Sequence, residues 1–220
     1  MRRFFIIILL VFLPLYIFLK VMEINIFNKN FYLKSYKKYN VEEISGKNLE
    51  ELDSITEDLF IYLKDDADEK ILKSNFNTNE IAHMEDVKLL FKYGYILKYM
   101  SLILSIISIL LAIKNKDLGI AKRFFYCLFI WWGLIVLMLF LVSIDFNKYF
   151  TYFHLIFFNN DLWLLDPNID LLIQMLPEEF FIDIFRRIML LFFMALAIIQ
   201  ISTYIIMKRK EDNRGWINKY

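Results

Sequence analysis

Four apolar runs, residues 4–22, 96–113, 124–144 and 188–207, are each long enough to cross a membrane. A bilayer's hydrocarbon core is about 30 Å thick and takes roughly 20 helical residues. Lipid offers the backbone no hydrogen-bond partner, so only helices or closed barrels span it. The runs are continuous and show no period-two alternation, which selects helices. Composition agrees, because 59% of the 220 residues are hydrophobic and 18% aromatic, an excess over water-soluble domains. The expected fold is a mainly α membrane protein, a four-transmembrane-helix bundle with an extracytoplasmic cap lying on the membrane surface. It is read as one integral-membrane domain over residues 1–220. Pro14, inside the first run, is expected to kink it. Arg2 and Arg3 ahead of that run resemble a secretory signal. Its exit, Lys20-Val21-Met22-Glu23, carries no small-residue cleavage site, so the run is read as an uncleaved anchor.

Basic residues in short flanking segments set orientation. Arg2 and Arg3, the 114–123 loop (Lys114, Lys116, Lys122, Arg123) and the tail (Lys208, Arg209, Lys210, Arg214, Lys219) hold 11 basic residues. Against them stand three acids, Asp117, Glu211 and Asp212, which leaves 15 basic and 22 acidic residues elsewhere. The net charge of +1 therefore hides a polarised molecule. Both termini and the middle loop are expected in the cytoplasm, with 23–92 and 145–187 forming the outer cap. Lys20 and Lys98 are expected to snorkel to the outer interface.

The outer segments are too long to be plain connections. Asn48 and Glu51 form a capping-box pattern ahead of a helix over 49–63, whose apolar face is Leu49, Leu52, Ile55, Leu59 and Leu63. Residues 75–80 read as a turn, and a second helix starts near Ile81 and runs into the second span. Residues 24–40 fit strand or helix equally. The run Tyr149 to Phe158 is aromatic, and such density outside a span suits a membrane interface. Pro177-Glu178-Glu179 marks a helix start, with acids in its first turn.

Several chemistries are excluded or weakened at once. Five scattered glycines leave no glycine-rich phosphate cradle, and the near-neutral total gives no sign of a nucleic-acid partner. The lone Cys127 lies inside the third span, where a thiol behaves as a small hydrophobe, and no Gly-x-Ser-x-Gly elbow exists. His83 and His154 are the whole imidazole supply. Helical spacing puts Glu80 and Asp86 beside His83, where a carboxylate can orient the ring. It puts Phe157, Phe158 and Asp161 on the side of His154. Each histidine also has a plainer reading, as a solvated helix-end residue (His83) or an interfacial ring bonded to a carbonyl (His154). Two histidines and a carboxylate could hold a metal, but the sequence has no His-Glu-x-x-His. Arg186 and Arg187 sit at the outer end of the fourth span; Asp183 offers them local ion pairs, and an anionic lipid group is the functional alternative.

At the two histidine motifs the chain resembles the bacterial lipoprotein intramolecular transacylase family, Lit. The matching residues are His83-Met84 with Asp86-Val87, then Phe153-His154, Phe157-Phe158, Trp163, Asp166-Pro167, Asp170, Pro177-Glu178 and Phe180-Phe181. The resemblance implies an enzyme of the bacterial cell membrane with its active site on the outer face. Its substrate would be a diacylated lipoprotein with a free N-terminal amine on its lipidated cysteine. An acyl chain would move from the glycerol sn-2 ester to that amine, giving a lyso-form N-acyl lipoprotein. The resemblance implies His83 and His154 as the catalytic pair. No cofactor, no obligate protein partner and no nucleic acid is expected; membrane lipids are.

The residues fit that chemistry on their own terms. Transfer within one molecule needs no enzyme nucleophile. It needs a base for the incoming amine and an acid for the leaving oxygen, and imidazole suits both near neutral pH. Trp163, Asn159, Arg186 and Arg187 are candidates to steady the oxyanion, and no choice among them follows from sequence. Two other readings stay open. One is a non-catalytic membrane protein that binds a lipid or partner in the cap, and the other is a metal-dependent membrane hydrolase.

Overall fold

The computed structural model describes residues 2–64, 67–114 and 119–217, with the backbone alone at 2–3 and 210–217. Lys116, Asp117 and Lys219 of the orientation argument lie outside the described residues, as do the side chains of Arg2, Arg3, Lys210, Glu211, Asp212 and Arg214. The elements in order are α1 (Arg2–Ile26), α2 (Lys29–Lys38), α3 (Val41–Ser45), α4 (Leu49–Lys64), a 3-10 turn (Glu69–Ile71), α5 (Thr78–Lys114), α6 (Ile120–Ile144), α7 (Phe146–Phe157), α8 (Leu171–Met175) and α9 (Glu178–Ile217). No strand occurs among the described residues.

Four stretches are long and apolar enough to cross a membrane: Phe4–Ile26, Thr78–Lys114, Ile120–Ile144 and Glu178–Arg209. Each contains one of the expected spans. Large apolar side chains on them, such as Ile7, Ile130, Val136 and Ile198, are exposed, as a lipid-facing surface requires. The 37 residues of α5 rise roughly 55 Å, well beyond a hydrocarbon core of about 30 Å. Its apolar crossing stretch is 96–113, so the first turns, with Glu80 and His83, fall outside the crossing.

The chain divides into two compact units. One comprises Met1–Met22, Ile96–Phe140 and Ile188–Tyr220. Its core is Leu9, Phe124, Leu128, Ile135, Phe192 and Leu196. Two of its indoles find their acceptors within the unit. Trp131 Nε1–H donates to the Leu10 carbonyl (2.8 Å), and Trp132 Nε1–H donates to Gln200. Lys98 corrects an expectation: it is buried, with its ammonium 4.5 Å from the Tyr99 ring centre, and does not snorkel, whereas Lys20 is exposed. The helix continues through Pro14.

The other unit comprises Glu23–Tyr95 and Leu141–Arg187. The undecided 24–40 segment is helical: α1 ends, Asn28 Oδ1 accepts the Phe31 N–H (3.1 Å), and α2 begins. A stripe of Tyr32, Ser35 and Tyr36 is buried on α2. The α4 capping box forms in full: Asn48 N–H donates to Glu51 (2.9 Å), and Glu51 N–H donates to Asn48 (3.0 Å). The face of α4 is broader than the apolar pattern showed, because Thr56 and Tyr62 join Leu52, Ile55 and Leu59 in the core while Leu49 and Leu63 are only half-buried. Residues 75–80 form a shorter turn than expected, with α5 already under way at Thr78.

Thr56 is the polar key between α2 and α4. Its one hydroxyl proton goes to the Leu52 carbonyl (2.7 Å), so the bond with Tyr36 (2.7 Å) must have the phenol as donor. Thr56→Val keeps the shape and leaves the buried phenol without an acceptor. Denaturant unfolding in detergent is expected to show a loss of about 1–3 kcal/mol. An unchanged midpoint would mean that the bond carries no net stability.

Candidate active site

Two buried carboxylates assemble the site before any histidine enters it. Glu80 Oε2 accepts the Asn77 N–H (2.7 Å) and Asn77 Oδ1 accepts the Glu80 N–H (3.1 Å), a second capping box, at the start of α5. Glu80 Oε1 accepts the Leu172 N–H (2.6 Å), which pins the start of α8 to α5. Asp170 accepts from the Asn77 amide (2.6 Å) and from the Asp166 N–H (2.6 Å). Burial pushes the Glu80 carboxyl up, and the N–H bonds from Leu172 and Asn77 oppose that push. Glu80 therefore does not orient His83. Its oxygens serve backbone donors, which a side-chain pattern does not reveal.

His154 is the buried residue of α7, an aromatic helix whose other residues are half-buried or exposed. Asp145 starts that helix by accepting the Lys148 N–H (3.0 Å). His154 Nδ1 lies 2.7 Å from the Phe150 carbonyl. A carbonyl only accepts, so Nδ1 carries the proton and, in the neutral ring, Nε2 keeps a lone pair. The plainer reading of a carbonyl-bonded ring is thus correct, and that bond is also what prepares the other nitrogen. Around the ring stand Phe150 (4.4 Å between ring centres), Phe153 (5.3 Å) and Phe158 (5.6 Å). Trp163 stacks on it at 4.7 Å with 23° between planes.

Two expected neighbours of His154 are elsewhere. Helix α7 ends at Phe157, so helical spacing no longer carries as far as Asp161, which is exposed. Phe157 is exposed and packs on Phe153 (4.9 Å). His83 approaches from α5, with its ring centre 6.2 Å from that of His154 and 5.5 Å from that of Phe158. Its Nδ1 is buried and has no hydrogen-bond partner.

Burial makes both imidazoles hard to charge. Burial first, then the neighbouring His154, push His83 down to about 4, with Asp86 opposing. Burial also lowers His154, against the upward pull of its Phe150 bond. Both rings are therefore neutral at pH 7. Asp86 is tied to the loop after α7, accepting from the Asn160 amide (2.8 Å). Asn160, which sequence reasoning passed over, holds this position, and Asn159 is exposed. Asp166 turns the loop by accepting the Asn168 N–H (2.9 Å).

The arginines stand away from the imidazole pair's ring contacts. Asp183 bonds Lys38 and Tyr39, so it is not reserved for them. Arg187 lies over the Phe31 ring (5.3 Å), and Arg186 is exposed. Among the described residues no group of three or more His, Cys, Asp or Glu side chains gathers as a metal would need. The arrangement offers two neutral imidazoles in a dry aromatic box, one with its lone pair fixed, which is equipment for moving a proton.

Comparison with known proteins gives the family and the fold. A family model described as lipoprotein intramolecular transacylase Lit matches residues 7–181. No curated protein matches the chain. An in meso structure of the membrane-integral Lit from Bacillus cereus is similar, with TM-score 0.83 and 24% identity over 96% of this chain and 98% of that one. Two further structures concern the same Bacillus cereus protein with one histidine mutated. The arginine mutant has TM-score 0.77 at 24% identity, covering 97% of this chain and 95% of its own. The alanine mutant has TM-score 0.76 at 25% identity, covering 96% of both chains.

The depressed His83 has a signed consequence for stability. An unfolded imidazole binds its proton near 6.5 and the folded one near 4. The folded state therefore loses stability as pH falls from 6.5 toward 4, at up to about 1.4 kcal/mol per pH unit. In detergent, the wild type is expected to lose more stability over this range than His83→Phe. Equal losses would show that His83 is not a suppressed base.

Proposed function

The chain belongs to the Lit family of lipoprotein intramolecular transacylases, multi-pass membrane acyltransferases, and we propose how its own residues carry that reaction. The acyl chain leaves the glycerol sn-2 ester of a diacylglyceryl-cysteine lipoprotein and arrives on the N-terminal amine of the same molecule. The two units act as one membrane domain, with both termini in the cytoplasm and the histidines on the outer face of a bacterial cell membrane. Membrane lipids surround it, and neither a cofactor nor a protein partner is required by the chemistry.

His154 acts as the proton carrier. Its Nε2 takes the proton of the attacking nitrogen as the N–C bond forms. It returns that proton to the glycerol oxygen as the C–O bond breaks, so the enzyme ends as it began. The bond of Nδ1–H to the Phe150 carbonyl is the single observation that carries this assignment, because it leaves Nε2 unprotonated and holds the ring in one plane. His83, neutral and beside it, is a second polar contact for the reacting groups. The histidine mutants of the Bacillus cereus enzyme support attention to an imidazole. No acyl-enzyme forms, since nucleophile and ester are already one molecule. Holding them together can contribute up to roughly 7–11 kcal/mol in ideal cases.

The test uses purified protein in detergent and a synthetic diacylated lipopeptide with a free amine. Transacylation conserves mass, so fragment ions must show an acyl group on the N-terminal nitrogen. Replacing His154 or His83 with Asn is expected to lower the rate by about 10²–10⁴-fold without preventing membrane insertion. Full activity in either variant would refute the assignment, and release of free fatty acid would indicate a hydrolase. For sidedness, Lys37→Cys in a Cys127→Ser background should react with an impermeant maleimide on intact cells. Labelling only after permeabilisation would invert the topology.

A further inference from the structure

The neutral imidazoles meet one demand of the reaction only in part. When the amine attacks, the ester carbonyl oxygen becomes an oxyanion; the His154 N–H is held by the Phe150 carbonyl, and His83 has one N–H at most to offer, so a further donor is wanted. Three kinds of donor were open from the sequence, and the structure separates them. Asn159 is exposed, Arg186 is exposed, and Arg187 is engaged over Phe31. Trp163 alone among them belongs to the imidazole box, stacked on His154.

The indole adds a second, independent observation. Its Nε1–H is buried and has no hydrogen-bond acceptor. Indole nitrogen is a donor only, and a buried donor without an acceptor is costly. The other indoles of the described side chains, Trp131 and Trp132, both have acceptors, so the unmet donor is particular to this one. The cost is accounted for if an oxygen arrives during turnover.

We propose that Trp163 is a catalytic residue of the transacylase, its Nε1–H donating to the oxyanion of the tetrahedral intermediate while its ring face lies against His154 as that ring becomes imidazolium. Both charges of the intermediate then meet one side chain: the anion at its N–H edge, the cation at its π face. The N–C bond forms, the carbonyl π electrons move to oxygen, and His154 holds the proton. On collapse the electrons return, the C–O bond breaks and the glycerol oxygen takes the proton. The indole edge is buried, and the loop that carries it is tied to α5 by the Asn160–Asp86 bond. This inference rests on the transacylase reading and on His154 as proton carrier.

Trp163→Phe keeps an aromatic face and removes only the donor. In the fragment-ion assay its kcat is expected to fall by about 10²-fold, with KM within about threefold of wild type. Trp163→Leu loses the face as well and is expected to fall further. A Trp163→Phe enzyme within threefold of wild-type kcat would overturn the proposal. If wild type itself yields no N-acyl product, the parent reading fails instead, so the two failures are distinct. A measurement on wild type guards against variants that do not fold. A lipopeptide with an alkylphosphonate in place of the sn-2 ester is added to ¹⁵N-labelled enzyme. The Trp163 indole N–H signal, assigned by elimination through Trp131→Phe, Trp132→Phe and Trp216→Phe, should move downfield. A bound phosphonate that leaves it in place would overturn the proposal.

Discussion

Glu80 holds two backbone N–H groups, one at the start of its own helix and one from Leu172 at the start of α8. A carboxylate this deeply buried survives only with good donors. Both of its oxygens therefore fix geometry. The first sets where α5 begins, and hence the azimuth of His83 one turn later. The second, with Asp170 and Asn77, holds the chain that returns from α7 through the Trp163 loop. The imidazole pair depends on that staple, although neither histidine touches it by a hydrogen bond.

The second determinant is dryness. Aromatic rings surround His154 on several sides, and both imidazoles resist protonation because water is excluded. A dry site suits a reaction that must separate charge briefly and return to neutrality, since each dipole aimed at the intermediate acts at low dielectric. It also disfavours the competing attack of water on the same ester. An aromatic box therefore selects for transfer over hydrolysis without any dedicated group to reject water.

Much of this was legible in the chain. The four spans, the capping box at Asn48 and the helix start at Pro177 are local signals, and each appears where residue type and spacing put it. The family resemblance was legible too, because it is carried by residues in order. What was not legible depends on contacts distant in sequence. Glu80 looked like a partner for His83 because spacing along a helix is visible, whereas an N–H from Leu172 is not. Asp161 looked adjacent to His154 because nothing local announces that α7 stops at Phe157. Asn159 and Asn160 are indistinguishable by type, and only the path of the loop turns the second toward Asp86. Lys98 looked like an interfacial lysine, since its burial depends on what packs around α5.

His154 is held as a neutral base, with the proton on Nδ1 and the lone pair on Nε2. ¹⁵N NMR of histidine-labelled enzyme in detergent at pH 7 reads this directly, and with two histidines in the chain the assignment needs one variant. The expected spectrum shows, for His154, a protonated Nδ1 and an unprotonated Nε2. A spectrum showing the Nε2–H tautomer, or an imidazolium, would contradict it.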